Sequence, residues 1–363
     1  MTLATFDGLW ESLAGIGREA AGYRRLPWTP AELEARDWFR TVADERGLSV
    51  EQDRNGNLWA WWGDEGEAVV TGSHLDSVVD GGAYDGALGV VCAFAAVDQL
   101  RAEKPRKRIG VVAFNEEEGA RFGRPCLGSK LMCGQLEPFD ELSEFLESPG
   151  PDPERVAKID AFVEVHVEQG RFLEVPLGVA SEIWPHGRFR FDFTGESNHA
   201  GTTPMADRQD AMLDFARATL AVRDAAVAHG GLGTFGRVQV EPNSTNSIAS
   251  LVRAWLDARG PDDATVDAIV AAVDGEPVRE SWTPAVLFDV ALRDRIASLL
   301  DAPLMTTAAG HDAAILATAG VPASMIFVRN HGGVSHAIEE HADREDCLAA
   351  VDALARVLKD LAC

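Results

Sequence analysis

The sequence predicts an α/β protein in which one domain, built on a largely parallel sheet, is interrupted by a smaller two-layer α+β insert. Three observations carry that expectation. Short apolar strands alternate with helix-length segments towards both ends of the chain. Between 184 and 293 the order changes to strand, helix, strand, strand, helix, strand, which suits a separate sheet with two helices. The length of 363 residues suits about two domains, and 46% hydrophobic with 25% charged residues suits a full buried core. The expected limits are 1–183 with 294–363 for the first domain and 184–293 for the insert.

The elements follow in order. Thr29-Pro30-Ala31-Glu32 is a capping box with proline at the first helical position, predicting a helix over 29–46. Residues 50–52 and 58–62 read as strands joined through Asn55-Gly56, a hairpin signal. A short strand at 69–72, a buried helix at 87–101 and a strand at 109–115 come next. Residues 136–158, rich in Pro, Glu and Asp, read as a surface connection ending in a short helix. Over 161–168, Val163, Val165 and Val167 alternate with Glu164, His166 and Glu168, so a histidine and two acids share one strand face. In the insert, strands at 188–193, 234–240, 250–256 and 278–282 are interleaved with helices at 207–228 and 261–272. The α/β pattern resumes with a strand at 303–305, a helix at 312–319, a strand at 324–328 and a closing helix at 344–361.

Composition narrows the function. Lys+Arg 33 against Asp+Glu 58 leaves a net charge of −25, which repels phosphate backbones and anionic lipid; neither nucleic acid nor a membrane is an expected partner. Five cysteines without a CxxC pair read as reduced thiols in a cytoplasm. Residues 1–17 carry Asp7 and Glu11 and no basic region, so no signal peptide is expected. The longest apolar run, 88–97, falls far short of the roughly 20 residues a bilayer requires.

Five segments set metal-type ligands at or just past expected strand ends. They are 71–77 with His74 and Asp76, 81–86 with Asp85, 114–119 with Glu116, Glu117 and Glu118, 165–170 with His166, Glu168 and Gln169, and 332–336 with His336. Open α/β sheets bind ligands beyond the carboxyl ends of their strands, so the five can converge. Imidazole and carboxylate together suit zinc, manganese or cobalt, and a shared carboxylate can bridge two ions. Singly, a histidine after a strand is more often structural and an acidic triplet more often a solvated face. The conjunction favours a metal site.

GSHLDSV, the GG-Y-DG loop, NEEEGARFG, EVHVEQG, GESNHAGTTPM, AGHDA and GVSH stand in this order over nearly the whole chain. In them the sequence resembles the carbamoylase branch of the aminoacylase and carboxypeptidase metallohydrolases. That branch contains allantoate amidohydrolase, N-carbamoyl-L-amino-acid hydrolase and β-ureidopropionase. The resemblance implies a di-metal exopeptidase-like catalytic domain, with a ferredoxin-like insert serving as lid and dimerisation domain. It implies two divalent ions per subunit, zinc or manganese, with cobalt or nickel also fitting. Asp85 would bridge the ions, His74 and His166 would complete one site, and Glu118 and His336 the other. Asp76 would orient the His74 imidazole. Glu117 would act as general base on a metal-bound water and later protonate the leaving nitrogen, leaving Glu116 without a part. From the insert, His199 would reach the partner's active site and stabilise the oxyanion, while Asn246 and Arg259 would hold the substrate carboxylate. Gln169, His311 and the Gly332-Gly333 loop fall on further substrate contacts.

The implied reaction is hydrolysis of a C–N bond in a ureido or N-carbamoyl amino-acid-type substrate by a cytoplasmic homodimer. Allantoate or an N-carbamoyl-L-amino acid is the expected substrate; the segments 184–186 and 327–330 lean towards allantoate. N-formyl or N-formimidoyl amino acids, or dipeptides, would fit the same site, and a catalytically silent ligand-binding homologue is the reading from another class. On their own residues, Arg259 could instead pair with Asp257, Asp262 or Asp263, and His199 and His311 could serve local structure. His186, His229, His331 and His341 match no ligand of the family, Cys126 and Cys133 read as inert, and Trp59, Trp61 and Trp62 as strand packing. Two departures stand out. Ser335-His336-Ala337-Ile338 replaces Ser-His-Ser-Pro, loosening the loop that aims His336, and the connection over 127–161 is short.

Overall fold

The computed structural model describes residues 5–363. The chain divides into two compact units: one runs to Ser181 and resumes over Leu287–Met305 and Gly310–Cys363, and the other holds Glu182–Val286 and Thr306–Ala309. The insert expected to extend to 293 therefore ends earlier, because Asp289 caps a helix of the first unit by accepting the Leu292 N–H.

In chain order the strands are β1 (Ser49–Gln52), β2 (Leu58–Trp62), β3 (Ala68–His74), β4 (Arg108–Phe114), β5 (Ile159–Val167), β6 (Leu177–Ile183), β7 (His186–Thr194), β8 (Leu232–Glu241), β9 (Leu251–Arg259), β10 (Val278–Thr283), β11 (Val286–Leu287), β12 (Leu304–Thr307) and β13 (Ala323–Val328). The helices are α1 (Phe6–Leu13), α2 (Pro30–Glu45), α3 (Ala87–Gln99), α4 (Leu127–Met132), α5 (Pro153–Val156), α6 (Ala211–His229), α7 (Asp263–Ala271), α8 (Val290–Leu300), α9 (Asp312–Thr318) and α10 (Arg344–Ala362).

The large sheet has the order β1-β2-β4-β3-β5-β13-β6-β11, with β12 paired to β6. Its centre, β4, β3, β5 and β13, is parallel, so His74, Phe114, Val167 and Val328 end on one edge. β3 and β13 are buried throughout. In β5 the expected alternation is present, but its polar face is covered: α9 lies on it, and the Ala313 N–H donates to Glu164 Oε2 at 3.1 Å. The other face, with Val163, Val165 and Val167, joins the main core formed with α3, which is buried from Ala87 to Val97 and packs on α10 and α1. At α2 the expected capping box does not form, because the Glu32 carboxylate reaches the N–H of the residue before the cap Thr29. Glu32 accepts the Trp28 N–H, while the Thr29 hydroxyl donates back to the Leu26 carbonyl.

Gly72 sits where β3 passes closest to β4. Its φ is +141°, and a Cβ there would lie 1.9 Å from the Val112 carbonyl oxygen. Gly72→Ala is expected to cost more than about 4 kcal/mol and yield little folded protein; soluble yield and thermal unfolding of whatever is recovered check this.

The second unit contains an antiparallel sheet β10-β7-β9-β8 with α6 and α7 packed on one face around Phe191, Val252 and Leu256. The order strand-helix-strand-strand-helix-strand is the expected one. α6 starts at Ala211, later than expected, because Asp210 accepts the Met212 N–H as its cap and Met205–Asp207 forms a separate 3-10 turn. Among the described residues no helix is long and apolar enough to cross a membrane, and the five cysteines are free thiols.

Candidate metal centre

The parallel edge delivers the site. His74 ends β3, His166 is the penultimate residue of β5, and Glu117 and Glu118 follow β4. Asp85 comes from the turn before α3, where Gly86 takes φ +67° and has the His74 ring within 2.4 Å of where a Cβ would stand, leaving no room for another residue. His336 lies in the segment between β13 and α10 and is itself left-handed, at φ +56°.

Asp85 is the hub. Its Oδ1 lies 3.1 Å from His166 Nε2 and 3.4 Å from His74 Nε2, and its Oδ2 lies 3.2 Å from His336 Nε2. Glu118 Oε2 is 3.5 Å from the same His336 nitrogen. His74, Asp85 and His166 thus form one group of donor atoms within 4.8 Å of one another, and Asp85, Glu118 and His336 a second. Donors about 2.1 Å from a tetrahedral ion stand about 3.4 Å apart, which is the spacing seen here.

The hydrogen bonding demands a cation. His74 Nδ1 faces the Asp76 carbonyl at 3.1 Å and His166 Nδ1 the Val167 carbonyl at 2.8 Å, so each Nδ1 carries its proton. Both Nε2 atoms are buried without a hydrogen-bond partner and point at the Asp85 carboxylate. Two lone pairs facing an anion out of water need a positive charge between them. With protons as the only cations, burial opposes ionisation of Asp85, yet His166, His336 and His74 hold its carboxyl well below the usual range. The hydrogen bond to Asp85 in turn lifts His336 to about 9. A divalent metal fits the same donors.

Glu117 is set apart from these groups. Its Oε2 is 3.8 Å from His74 Nε2, and burial pushes its carboxyl well above the ordinary value, against the pull of His74 and with Asp312, Glu118 and Asp85 adding to the rise. Such a carboxyl, raised and outside both donor groups, is placed to take and return a proton. Asp76 does more than orient His74. Its carboxylate oxygen stands 3.7 Å from His74 Nδ1, whereas it accepts the N–H groups of Glu117 at 3.2 Å and Glu118 at 3.1 Å. Glu116 is no bystander: buried at φ +55°, it accepts the N–H groups of Arg121 and Phe122 and folds the loop behind Glu117.

Cys126, read as inert, touches the same carboxylate. Its Sγ donates to Glu117 Oε1 at 3.4 Å, and its N–H donates to the Glu117 carbonyl at 2.7 Å. Cys126→Ala is expected to lower kcat about fivefold with KM unchanged, the worth of one hydrogen bond. Cys126→Ser should retain the rate, and steady-state kinetics of the two variants decide it.

Gln169 Nε2 donates to Asp85 Oδ2 at 2.9 Å, which puts it within the cluster. His311 is buried with its ring 4.4 Å from that of His166, its Nε2 unpartnered; burial, and then His166, keep it well below its ordinary pKa and neutral. Gly333 packs on Gly170 and Arg171, so the Gly332-Gly333 loop borders Gln169. His199, Asn246 and Arg259 belong to the second unit. There Asn246 Oδ1 accepts from Ser244, and the Gly201 N–H donates to His199 Nδ1. Arg259 donates to both oxygens of Asp257, at 2.7 and 3.1 Å, and to the Ala308 carbonyl at 2.6 Å. Sequence reasoning missed Glu340. It is buried and accepts the N–H groups of Tyr84 at 2.8 Å and Asp85 at 2.9 Å and the Ser335 hydroxyl at 3.1 Å, joining the Asp85 turn to the His336 segment.

Fold and site together define a hydrolase architecture, and the chain belongs to peptidase family M20/M25/M40, whose model matches residues 70–360. The N-carbamoyl-L-amino acid amidohydrolase of Geobacillus stearothermophilus is 32% identical over 98% of both chains. The allantoate amidohydrolase of Escherichia coli (strain K12) is 32% identical over 96% of both. Among solved structures, an amidase of the hydantoinase/carbamoylase family from Burkholderia multivorans superposes with a TM-score of 0.83 at 30% identity, over 99% of this chain and 98% of that one.

Proposed function

We propose that this protein is a metal-dependent amidohydrolase that cleaves a C–N bond of ureido or N-carbamoyl amino-acid-type substrates, with allantoate or an N-carbamoyl-L-amino acid as the compound attacked. The observation that carries this is the buried Asp85 carboxylate shared between His74 with His166 and Glu118 with His336, beside an uncommitted Glu117. The names of the relatives supply the substrate class.

On this reading His74, His166 and Asp85 hold one divalent ion and Asp85, Glu118 and His336 the other; zinc or manganese suits the donors, and cobalt or nickel is tolerated. The ions would polarise the scissile carbonyl and lower the pKa of the attacking water. Glu117 takes the proton of that water and passes it to the departing nitrogen. Ammonia leaves, and a simple carbamoyl group also yields CO2. Gln169, His311 and the Gly332-Gly333 loop contact substrate, and His199 stabilises the oxyanion from a partner subunit. Asn246 and Arg259 hold the substrate carboxylate, which must take the place of Asp257 in the Arg259 fork. The second unit, built on 182–286, serves as lid and homodimer surface, supported by the exposed apolar residues Leu220, Val227, Leu232 and Val238 along α6 and the edge strand β8. Free thiols throughout favour a cytoplasmic location.

The test is a pooled panel of allantoate, several N-carbamoyl-L-amino acids, β-ureidopropionate, N-formyl-L-glutamate and two dipeptides, followed by mass spectrometry after stripping and manganese reloading. Metal-dependent loss of a ureido compound is expected. Loss of only the formyl compound or a dipeptide would overturn the substrate, and no loss with any metal would favour a silent binding homologue.

A further inference from the structure

His336 reaches the Asp85 cluster from a segment without regular structure. β13 ends at Val328 and α10 begins at Arg344, and residues 329–343 between them hold no helix or strand. Within that segment His336 takes a left-handed φ of +56°, its side chain is 50% exposed, and Ala337-Ile338 offer no proline to stiffen the chain. His74 and His166, by contrast, are placed by β3 and β5. Something other than the sheet must hold His336 at 3.2 Å from Asp85 and 3.5 Å from Glu118. We propose, on the two-ion reading of the centre, that Glu340 is the positioning residue of this half: it sets the affinity of the ion held by Asp85, Glu118 and His336 and leaves the ion on His74, Asp85 and His166 unaffected.

Glu340 is buried, and its two oxygens face different parts of the site. Oε1 accepts the N–H groups of Tyr84 at 2.8 Å and Asp85 at 2.9 Å, while Oε2 accepts the Ser335 hydroxyl at 3.1 Å. Its own N–H donates to the Ala337 carbonyl at 3.0 Å and closes a turn directly after His336. The residue before His336 and the turn after it are thus tied to the side chain that holds the Asp85 turn, so one carboxylate fixes the spacing between Asp85 and His336. Gly82 makes room for it, because a Cβ there would collide with the Glu340 carboxylate. Leaving such buried donors unpaired costs more than each bond gains on folding, which locks the arrangement.

The other half of the centre has supports of its own. The Asp85 turn runs into α3, where the Leu88 N–H donates to the Tyr84 carbonyl and the Gly89 N–H to the Gly86 carbonyl, both at 3.0 Å, and Gly86 lies against the His74 ring. These contacts keep Asp85 Oδ1 facing His74 and His166 with or without Glu340. The bonds from Asn330 to the Val334 carbonyl and from the Gly333 N–H to Asn330 steady the other segment only as far as Val334.

The experiment strips the full-length protein with a chelator and titrates zinc by equilibrium dialysis. Wild type, Glu340→Ala, Glu340→Gln, Ser335→Ala and Gly82→Ala are compared, each checked for folding by circular dichroism, and His336→Ala marks which binding step belongs to His336. In Glu340→Ala that step is expected to weaken about 10–100-fold, the usual effect of removing a group that orients a ligand, with the other step as in wild type. Gly82→Ala, which displaces the same carboxylate, should show the same selective loss, and Ser335→Ala a smaller one. Glu340→Gln, whose amide still accepts the two N–H groups and can donate to the Ser335 hydroxyl, should recover most of the affinity. A side chain needed only for folding would weaken both steps together or neither, and either result overturns the proposal while the two-ion centre stands. A wild type that takes up fewer than two ions overturns the two-ion reading and the role of Glu340 with it.

Discussion

Glu117→Gln abolishes turnover while leaving the metal content unchanged. The amide keeps the size of the carboxylate and the Cys126 contact but cannot accept a proton, so the loss is expected to reach about 10²–10⁴-fold in kcat, the range of a positioned acid–base group. Metal survives because Glu117 belongs to neither donor group. Its nearest approach to a candidate ligand nitrogen is 3.8 Å, against 3.4 Å for Asp85 on the same His74 Nε2. Single-turnover rates and elemental analysis of the purified variant separate the outcomes. Substantial residual activity removes Glu117 from the chemistry, and loss of metal makes it a ligand.

Much of this was legible in the sequence because the signals are local. His74, Asp85, Glu118, His166 and His336 each stand at or after a strand end or in a glycine turn, and parallel strands bring such ends to one edge without further information. The order of elements in the insert was legible for the same reason: alternation and helical period are properties of neighbouring residues. Long-range partners were not. Glu340 binds the N–H groups of Tyr84 and Asp85 across 256 and 255 residues, and nothing near Glu340 announces that it is buried. What covers the polar face of β5 was not legible, because α9, which lies on it, arrives about 150 residues later. Cys126 read as inert because its role depends on a left-handed backbone at φ +55° that turns its thiol onto Glu117. α1, β6 and α8 escaped notice: Val290–Leu300 gains its apolar packing from β13 and α10, not from strong local periodicity, whereas Phe6, Leu9 and Leu13 stand at helical spacing and made α1 legible.

Asp85→Ala is expected to empty both halves of the proposed centre at once, whereas His336→Ala empties one. The asymmetry follows from where the charges lie. Asp85 is the one residue common to both donor groups, and its side chain is almost wholly buried. Without it, His74, His166 and His336 would face one another around any ion with only Glu118 to balance the charge, and a buried charge left without its counter-ion costs several kcal/mol. His336 is different. Its side chain is 50% exposed, and its removal leaves His74, Asp85 and His166 intact as a group. Metal counted per chain should therefore fall from two to none with Asp85→Ala and from two to one with His336→Ala. Each variant should lose detectable turnover. A full ion retained by Asp85→Ala would overturn the shared carboxylate. The resulting requirement for Asp85 in both ion sites also explains the hydrogen bonds converging on this one turn: Glu340 takes its backbone N–H, Gln169 donates to the Oδ2 that faces His336, and Gly86 gives the His74 ring the space to reach it.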